Sequence, residues 1–218
     1  MQLLLSPSMM CANFQNLNKE MEILNKSDIN MYHMDIMDGL YVPNFALGLE
    51  DYETIRQSTN KVMDAHLMIE SPHRYIKLFC DIGADVIYFC PEAEQQPVRT
   101  IEQIHDLGKK AGISVNTNLS FEMVKELLPI VDYVLIMTVN PGFAGQKFQN
   151  FVLKKLDKFI LAKSDYHYIL GVDGAISREK IKCLYKKGVD NFILGTSALF
   201  NKSENYQKTI ELIREEND

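Results

Sequence analysis

The chain has 218 residues, of which 46% are hydrophobic and 24% are charged, the composition of a globular protein rather than a disordered or coiled-coil one. We expect one domain over residues 1–218, because no Pro/Gly-rich linker or low-complexity segment divides the chain. The 23 Lys and Arg against 29 Asp and Glu give a net charge of −6, which argues against a nucleic-acid or anionic-membrane partner. An anionic substrate stays possible, since backbone amides can bind phosphate.

The N-terminus and the cysteines predict a cytoplasmic location. Leu3-Leu4-Leu5 is too short for a signal-peptide core, and no stretch approaches the ~20 apolar residues of a membrane helix. The cysteines show no paired spacing, which suits a reducing compartment. They are Cys11, Cys80, Cys90 and Cys183.

Short β-branched runs alternate along the chain with longer segments of helical period. The predicted strands are Leu3–Ser8, Met31–Asp35, Val62–Met68, Val86–Phe89, Ile113–Val115, Tyr133–Met137, Tyr168–Val172 and Asn191–Leu194. The predicted helices are Leu17–Leu24, Tyr52–Arg56, Arg74–Ile82, Ile101–Lys110, Met123–Leu128, Phe151–Ala162, Lys180–Lys187 and Tyr206–Ile213. Gly83, Gly112 and Gly188 are each predicted to follow a helix end.

Eight strand–helix units predict an α/β fold of the (β/α)₈ TIM-barrel type, at the compact end of its size range. A doubly wound open sheet alternates in the same way and is the structural alternative. The count of eight favours the barrel.

Polar residues occur where the predicted strands end, at the rim where barrels carry their sites. Because strand side chains alternate, His33, Asp35 and Met37 share one face, and His66 shares a face with Met68. Asp173 ends the seventh strand. Any one of these residues could simply cap a loop, but two imidazoles and two carboxylates on one rim favour a divalent metal with N and O ligands, such as Zn²⁺, Fe²⁺, Mn²⁺ or Co²⁺.

Three glycine-containing segments follow the sixth, seventh and eighth strands and indicate a phosphate site. They contain Gly142, Phe143, Ala144 and Gly145, then Gly174 and Ala175, and then Gly195, Thr196 and Ser197. The first segment alone is a weak signal, but the last two are the loops where barrels commonly bind phosphate on backbone N–H groups.

Three methionines, Met37, Met68 and Met137, lie at or near strand ends. Two interpretations of these methionines stay open. They could fill gaps in the core, as methionine usually does. They could instead form an apolar lid that keeps water from a reactive intermediate.

With these motifs in this order, the whole chain resembles the ribulose-phosphate 3-epimerase family. The resemblance rests on Ser6-Pro7-Ser8, residues 33–39 with Val42-Pro43-Asn44, His66-Leu67-Met68, residues 137–143 and Val172-Asp173-Gly174. Residues 142–146 and 195–201 are more similar to the branch that acts on D-allulose 6-phosphate than to the pentose-phosphate enzymes.

The resemblance implies a (β/α)₈ barrel that inverts C3 of a ketose phosphate with one divalent metal ion. It makes His33, Asp35, His66 and Asp173 metal ligands, and Asp35 and Asp173 the two acid/base groups. Ser8 and His66 would contact the sugar, and the glycine segments would hold substrate or phosphate. It also implies that the chain forms a homo-oligomer. The small molecule that it binds would be a ketose phosphate.

Three residues depart from the family pattern: Cys90 stands where His is common, Thr117 where Pro is common, and Ala175 where Gly or Ser is common. We expect little loss at Ala175, provided that its backbone does not need a positive φ. Cys90 could be a neutral replacement, a changed substrate contact or a soft extra ligand. These departures motivate an alternative function, that of a non-catalytic sugar-phosphate sensor. A second alternative is a lyase or decarboxylase, but such an enzyme would more naturally use a catalytic Lys at a strand end, and none stands there.

Overall fold

A computed structural model describes residues 2–200 and 205–217. Its strands are β1 (Leu4–Pro7), β2 (Met31–Tyr32), β3 (Asp35–Asp38), β4 (Phe45–Ala46), β5 (Val62–Met68), β6 (Val86–Phe89), β7 (Lys110–Val115), β8 (Tyr133–Met137), β9 (Ile169–Asp173) and β10 (Asn191–Leu194). The α-helices are α1 (Leu17–Lys26), α2 (Leu49–Gln57), α3 (Ile76–Asp81), α4 (Pro97–Asp106), α5 (Phe121–Val124), α6 (Leu153–Ala162), α7 (Arg178–Lys187) and α8 (Tyr206–Glu215).

The strands form a closed parallel barrel. The order is β1-β10-β9-β8-β7-β6-β5-β3, and β2 pairs with β5 below β3, so that β2 and β3 are two halves of one barrel strand. A parallel bridge between Ser8 and His33 joins β1 to that strand and closes the ring. The predicted TIM barrel is confirmed, and closure excludes the open-sheet alternative. The short β4 pairs antiparallel with β3 outside the ring.

Most predicted elements are present with shifted ends. The second strand is interrupted at His33 and Met34, and the fourth helix ends at Asp106 rather than at Lys110, which begins β7. Gly112, predicted to follow a helix end, instead lies inside β7. A Cβ on Gly112 would lie 2.4 Å from the ring of Tyr88, so the absence of a side chain makes room for that ring inside the barrel.

Two layers of apolar side chains stabilise the barrel. Inside it, a small cluster contains Met31, Val86, Tyr88, Leu135 and Ile193. A larger layer lies between the strands and the helices and includes Ile113, Leu156 and Phe159. Strands buried on both faces read as continuous apolar runs, as β6 does, and this is the pattern of parallel sheets covered by helices.

Among the described residues, no helix combines the length and the apolar character needed to cross a membrane.

Candidate active site

The polar residues predicted at strand ends come together at one end of the barrel. Asp35 begins β3, His66 lies within β5 and Asp173 ends β9, while His33 lies in the break between β2 and β3. The register places Asp35 beside His66, and the bridge places Ser8 beside His33. Barrel closure therefore brings together residues that are far apart in the sequence.

The four side chains surround a common point. His33 Nε2 lies 3.3 Å from Asp35 Oδ1 and 3.9 Å from Asp173 Oδ2, and His66 Nδ1 lies 3.4 Å from the same Asp35 oxygen. One ligand atom from each residue lies within 4.8 Å of the others. Ser8 donates a hydrogen bond of 2.7 Å to Asp35 Oδ2, so this hydroxyl orients the carboxylate.

The two aspartates have opposite electrostatic surroundings. Burial by itself would raise the pKa of Asp35, but His33 and His66 beside it outweigh burial and hold the pKa of that carboxyl well below its usual range. Burial, together with the nearby charge of Asp35, raises the pKa of Asp173 to about 6. Two carboxyls whose pKa values are driven apart are suited to opposite roles in proton transfer.

The donor set fits a divalent metal ion. His33 Nε2 and His66 Nδ1 are fully buried and make no hydrogen bond, although each faces a carboxylate oxygen. Buried imidazole nitrogens without partners are costly, and a cation bound to their lone pairs would remove that cost. Two neutral imidazoles and two carboxylates are ligands that Zn²⁺, Fe²⁺, Mn²⁺ and Co²⁺ accept.

A cavity opens beside this cluster and is lined by the predicted substrate residues. Its polar floor includes Ser8, Asp35 and Asp173. The predicted loop residues also line it: Gly142, Phe143, Ala144, Gly145, Gly174, Ala175, Gly195, Thr196 and Ser197. His66 is fully buried and does not line the cavity, and its contact with the sugar stays a prediction. Its ring belongs to the cluster below the cavity.

Two backbone positions after β9 are unusual. Gly174 has a φ of +111°, and a Cβ there would lie 2.5 Å from Val139. Ala175 has a φ of +51°, so the condition under which little loss was expected at this residue is not met. An alanine in the left-handed region costs of order 1 kcal/mol relative to glycine. The strain lies in a loop that faces the cavity.

The other two departures from the family pattern leave the cluster complete. Cys90 packs with Met37, Val42 and Met68, and its sulfur does not belong to the group of four possible ligands. Burial raises the pKa of the Cys90 thiol, which disfavours the thiolate that a metal needs. Thr117 Oγ1 donates a hydrogen bond of 3.1 Å to Asn140, at the start of the glycine loop.

Met37, Met68 and Met137 all line the cavity and are themselves buried. Met10 and Cys11 also line the cavity, and their position just after β1 is the sequence signal that could have indicated them. No Lys or Arg lines the cavity in the part of the chain that the structure describes. Asn201, the last residue of the 195–201 motif, lies outside the described residues.

Known proteins are similar to this chain over nearly its whole length. Residues 4–200 match the Ribulose-phosphate 3 epimerase family. A ribulose-phosphate 3-epimerase of Bacillus subtilis (strain 168) is 35% identical over 212 residues, 96% of this chain and 97% of that protein. One of Helicobacter pylori (strain ATCC 700392 / 26695) is 36% identical over 208 residues, 94% of each chain.

Solved structures of lower sequence identity share the fold. KGPDC from Streptococcus mutans aligns with a TM-score of 0.73 at 14% identity, covering 100% of this chain and 98% of that one. A 3-hexulose-6-phosphate synthase from Salmonella typhimurium aligns with a TM-score of 0.71 at 15% identity, covering 99% and 100%. Together with the family match, these findings show that the chain is a TIM-barrel isomerase of the epimerase class and belongs to the ribulose-phosphate 3-epimerase family.

Proposed function

We propose that this protein interconverts D-ribulose 5-phosphate and D-xylulose 5-phosphate by inverting C3, with Asp35 and Asp173 as the acid/base pair. The observation that carries the proposal is the pair of carboxyls in one buried cluster with opposite pKa shifts. The relatives named ribulose-phosphate 3-epimerase support the pentose substrate. The 142–146 and 195–201 motifs keep the D-allulose 6-phosphate/D-fructose 6-phosphate pair as the second candidate.

Epimerisation requires removal of a proton from one face of C3 and delivery of a proton to the other. Asp35 has the depressed pKa and is ionised, so it is suited to accept a proton, whereas Asp173, whose pKa is raised to about 6, gains and releases a proton near neutral pH and is suited to donate one. The roles exchange when the reaction runs in reverse. Ser8 holds Asp35 in place by donating to its second oxygen.

His33, Asp35, His66 and Asp173 would hold the divalent ion, one of Zn²⁺, Fe²⁺, Mn²⁺ or Co²⁺. The chemistry that it supplies when bound is Lewis acidity, which makes the proton next to the ketone more acidic. Met37, Met68 and Met137 present apolar groups to the cavity and would limit the access of water.

The phosphate would bind the backbone of Gly174-Ala175 and of Gly195-Thr196-Ser197, with Gly142–Gly145 closing over the sugar. Amide donors suit a cavity whose described lining has no cationic side chain and a protein of net charge −6. The same lining gives no support to a lyase that uses a Schiff-base lysine.

The test is exchange of the C3 proton with D₂O, followed by NMR for each candidate substrate. We expect metal-dependent exchange that a chelator abolishes, and faster exchange of the pentose phosphate. Asp35→Asn and Asp173→Asn should lose exchange while near-UV circular dichroism stays native.

Asp85→Asn is the control, because Asp85 accepts hydrogen bonds from Met63 N–H and Arg56 at the opposite end of the barrel. It should retain exchange. Retained exchange in both Asp35→Asn and Asp173→Asn would overturn the two-aspartate assignment. Thermal stabilisation by sugar phosphates without any exchange would instead establish the sensor.

A further inference from the structure

In each histidine of the cluster, the ring nitrogen that faces away from the cluster contacts a buried side chain on another strand. Asp64 Oδ2 lies 2.9 Å from His33 Nδ1, and Ser114 Oγ lies 2.8 Å from His66 Nε2. Asp64 and Ser114 have no exposed surface and do not line the cavity. They contact the histidines on the ring nitrogens that face away from the cluster.

The hydrogen bonds of Asp64 determine where the proton of His33 lies. Its Oδ1 accepts from the N–H of Met34 at 3.2 Å, and its Oδ2 faces His33 Nδ1. A carboxylate can only accept, so Nδ1 must carry the hydrogen. In the neutral ring that binds a metal, the lone pair of His33 is then on Nε2, the nitrogen that faces Asp35 and Asp173.

In His66 the roles of the two ring nitrogens are exchanged relative to His33. Ser114 engages Nε2, so that Nδ1 is the nitrogen that faces Asp35 at 3.4 Å. The two rings lie 5.2 Å apart at 46° to each other, and Nε2 of His33 and Nδ1 of His66 both face the same oxygen of Asp35.

We propose that Asp64 and Ser114 are positioning residues for divalent-metal binding: Asp64 selects the tautomer and ring orientation of His33, and Ser114 holds the ring orientation of His66. The inference rests on the metal site of the proposed function. Residues that hold a metal-binding histidine from behind typically change metal affinity 10–100-fold when they are replaced.

Asp64→Asn is the sharpest variant, because it keeps the shape of the side chain and changes one acceptor into a donor. If the amide oxygen accepts from Met34 N–H, the new NH₂ group faces His33 Nδ1 and drives the hydrogen to Nε2, where it blocks the metal. If the amide is reversed, two N–H groups face each other at Met34. The first arrangement disfavours the binding-competent ring, and the second keeps that ring only at the cost of the donor–donor contact.

Asp132→Asn is a matched control at the other end of the barrel. Asp132 Oδ2 accepts from a backbone N–H, that of Ala111 at 2.9 Å, and contacts a histidine nitrogen, His105 Nε2, at 2.9 Å. For Ser114→Ala the control is Ser6→Ala, since Ser6 is also a fully buried strand serine, with a hydrogen bond of 2.7 Å to Asn191.

The experiment measures the affinity of the whole 218-residue chain for Co²⁺ by competition with a chelator, read from the visible spectrum of the bound ion. We expect Asp64→Asn and Ser114→Ala to bind Co²⁺ at least tenfold more weakly than wild type, and both controls to bind as wild type does. Imidazole ¹⁵N NMR of the Zn²⁺-loaded wild type should show the hydrogen on Nδ1 of His33 and on Nε2 of His66.

The outcomes separate this inference from the proposed function. Wild-type protein that binds no Co²⁺ would overturn the metal site itself. Wild-type binding that is unchanged in natively folded Asp64→Asn and Ser114→Ala, or NMR signals with the hydrogen on the opposite nitrogens, would overturn the positioning role alone. Ser114→Ala and the NMR spectrum keep the test decisive if Asp64→Asn does not fold.

Discussion

At the scale of single residues, the site combines neighbouring carboxyls with buried nitrogens that make no hydrogen bond, an arrangement that is unfavourable for folding. Asp35 and the partly exposed Asp173 are carboxyls of one cluster, and the charge of Asp35 adds to burial in raising the pKa of Asp173. Two histidine nitrogens face them without hydrogen bonds. Such costs are typical of catalytic and metal sites, where binding of a cation or substrate offsets them.

The raised pKa of Asp173 predicts a pH-dependent cost to folding in the metal-free protein. Its value of about 6 lies above the ordinary 3.8, so the folded state holds this proton more tightly than the unfolded chain does. The contribution of Asp173 therefore favours folding below about pH 4 and is lost as the pH rises through about 6. At neutral pH the ionised, buried carboxylate destabilises the fold.

We therefore expect Asp173→Asn to raise the free energy of unfolding at about pH 7 by about 2 kcal/mol, with little effect at about pH 4. The measurement is urea denaturation in the presence of a chelator at both pH values. A variant that is less stable than wild type at neutral pH would contradict the assigned environment of Asp173.

At the scale of elements, β7 shows how a small residue places a large one. Gly112 lies opposite Tyr88 in the register of β6 and β7, and the Tyr88 ring occupies the space that a side chain at 112 would need. Tyr88 in turn packs edge-on against His33 and His66. The Tyr88 ring inside the barrel therefore packs against the imidazole rings of the cluster and helps to fix their positions.

Gly112→Ala is expected to lower the free energy of unfolding by roughly 1–3 kcal/mol, because the new methyl group overlaps the Tyr88 ring. In a Tyr88→Leu background the same substitution should cost less, since the ring is gone. Urea denaturation of the four proteins gives the double-mutant cycle. Equal costs in both backgrounds would show that the two residues are not coupled.

At the scale of the whole molecule, the barrel is completed by contacts between the two ends of the chain. Arg214 on α8 donates to the carbonyl of Leu3, to the carbonyl of Asp28 at 2.8 Å and to Asn30 Oδ1 at 2.7 Å. Asn30 Oδ1 also accepts from Leu5 N–H in β1. One guanidinium therefore ties the last helix to the first strand and to the turn before β2.

Arg214→Met should lower the free energy of unfolding by about 2 kcal/mol, because hydrogen bonds from a charged donor are lost and their acceptors stay partly buried. Arg99→Met is the control, since Arg99 is exposed on α4, and it should change stability by less than about 0.5 kcal/mol. Equal effects of the two variants in urea denaturation would contradict a closing role for Arg214.

The alternation of eight strands and helices could be predicted from the sequence, because the periodicity of hydrophobic residues is a local property. The positions of His33, Asp35, His66 and Asp173 at strand ends followed from the same pattern. Boundaries were less accurate where neighbouring elements compete, as at Lys110, and the two-residue strand β4 has too few residues to produce a pattern.

Only the tertiary structure decided which atoms meet. The pairing of β1 with both β10 and the second barrel strand brings Ser8 to Asp35, a contact that no local pattern contains. The roles of Gly112, of Asp64 and of Ser114 depend on neighbours that are distant in the chain. The positive φ of Ala175 likewise arises from the loop in which it is held. Sequence period determines the elements, whereas contacts between distant strands determine the chemistry that their ends can perform.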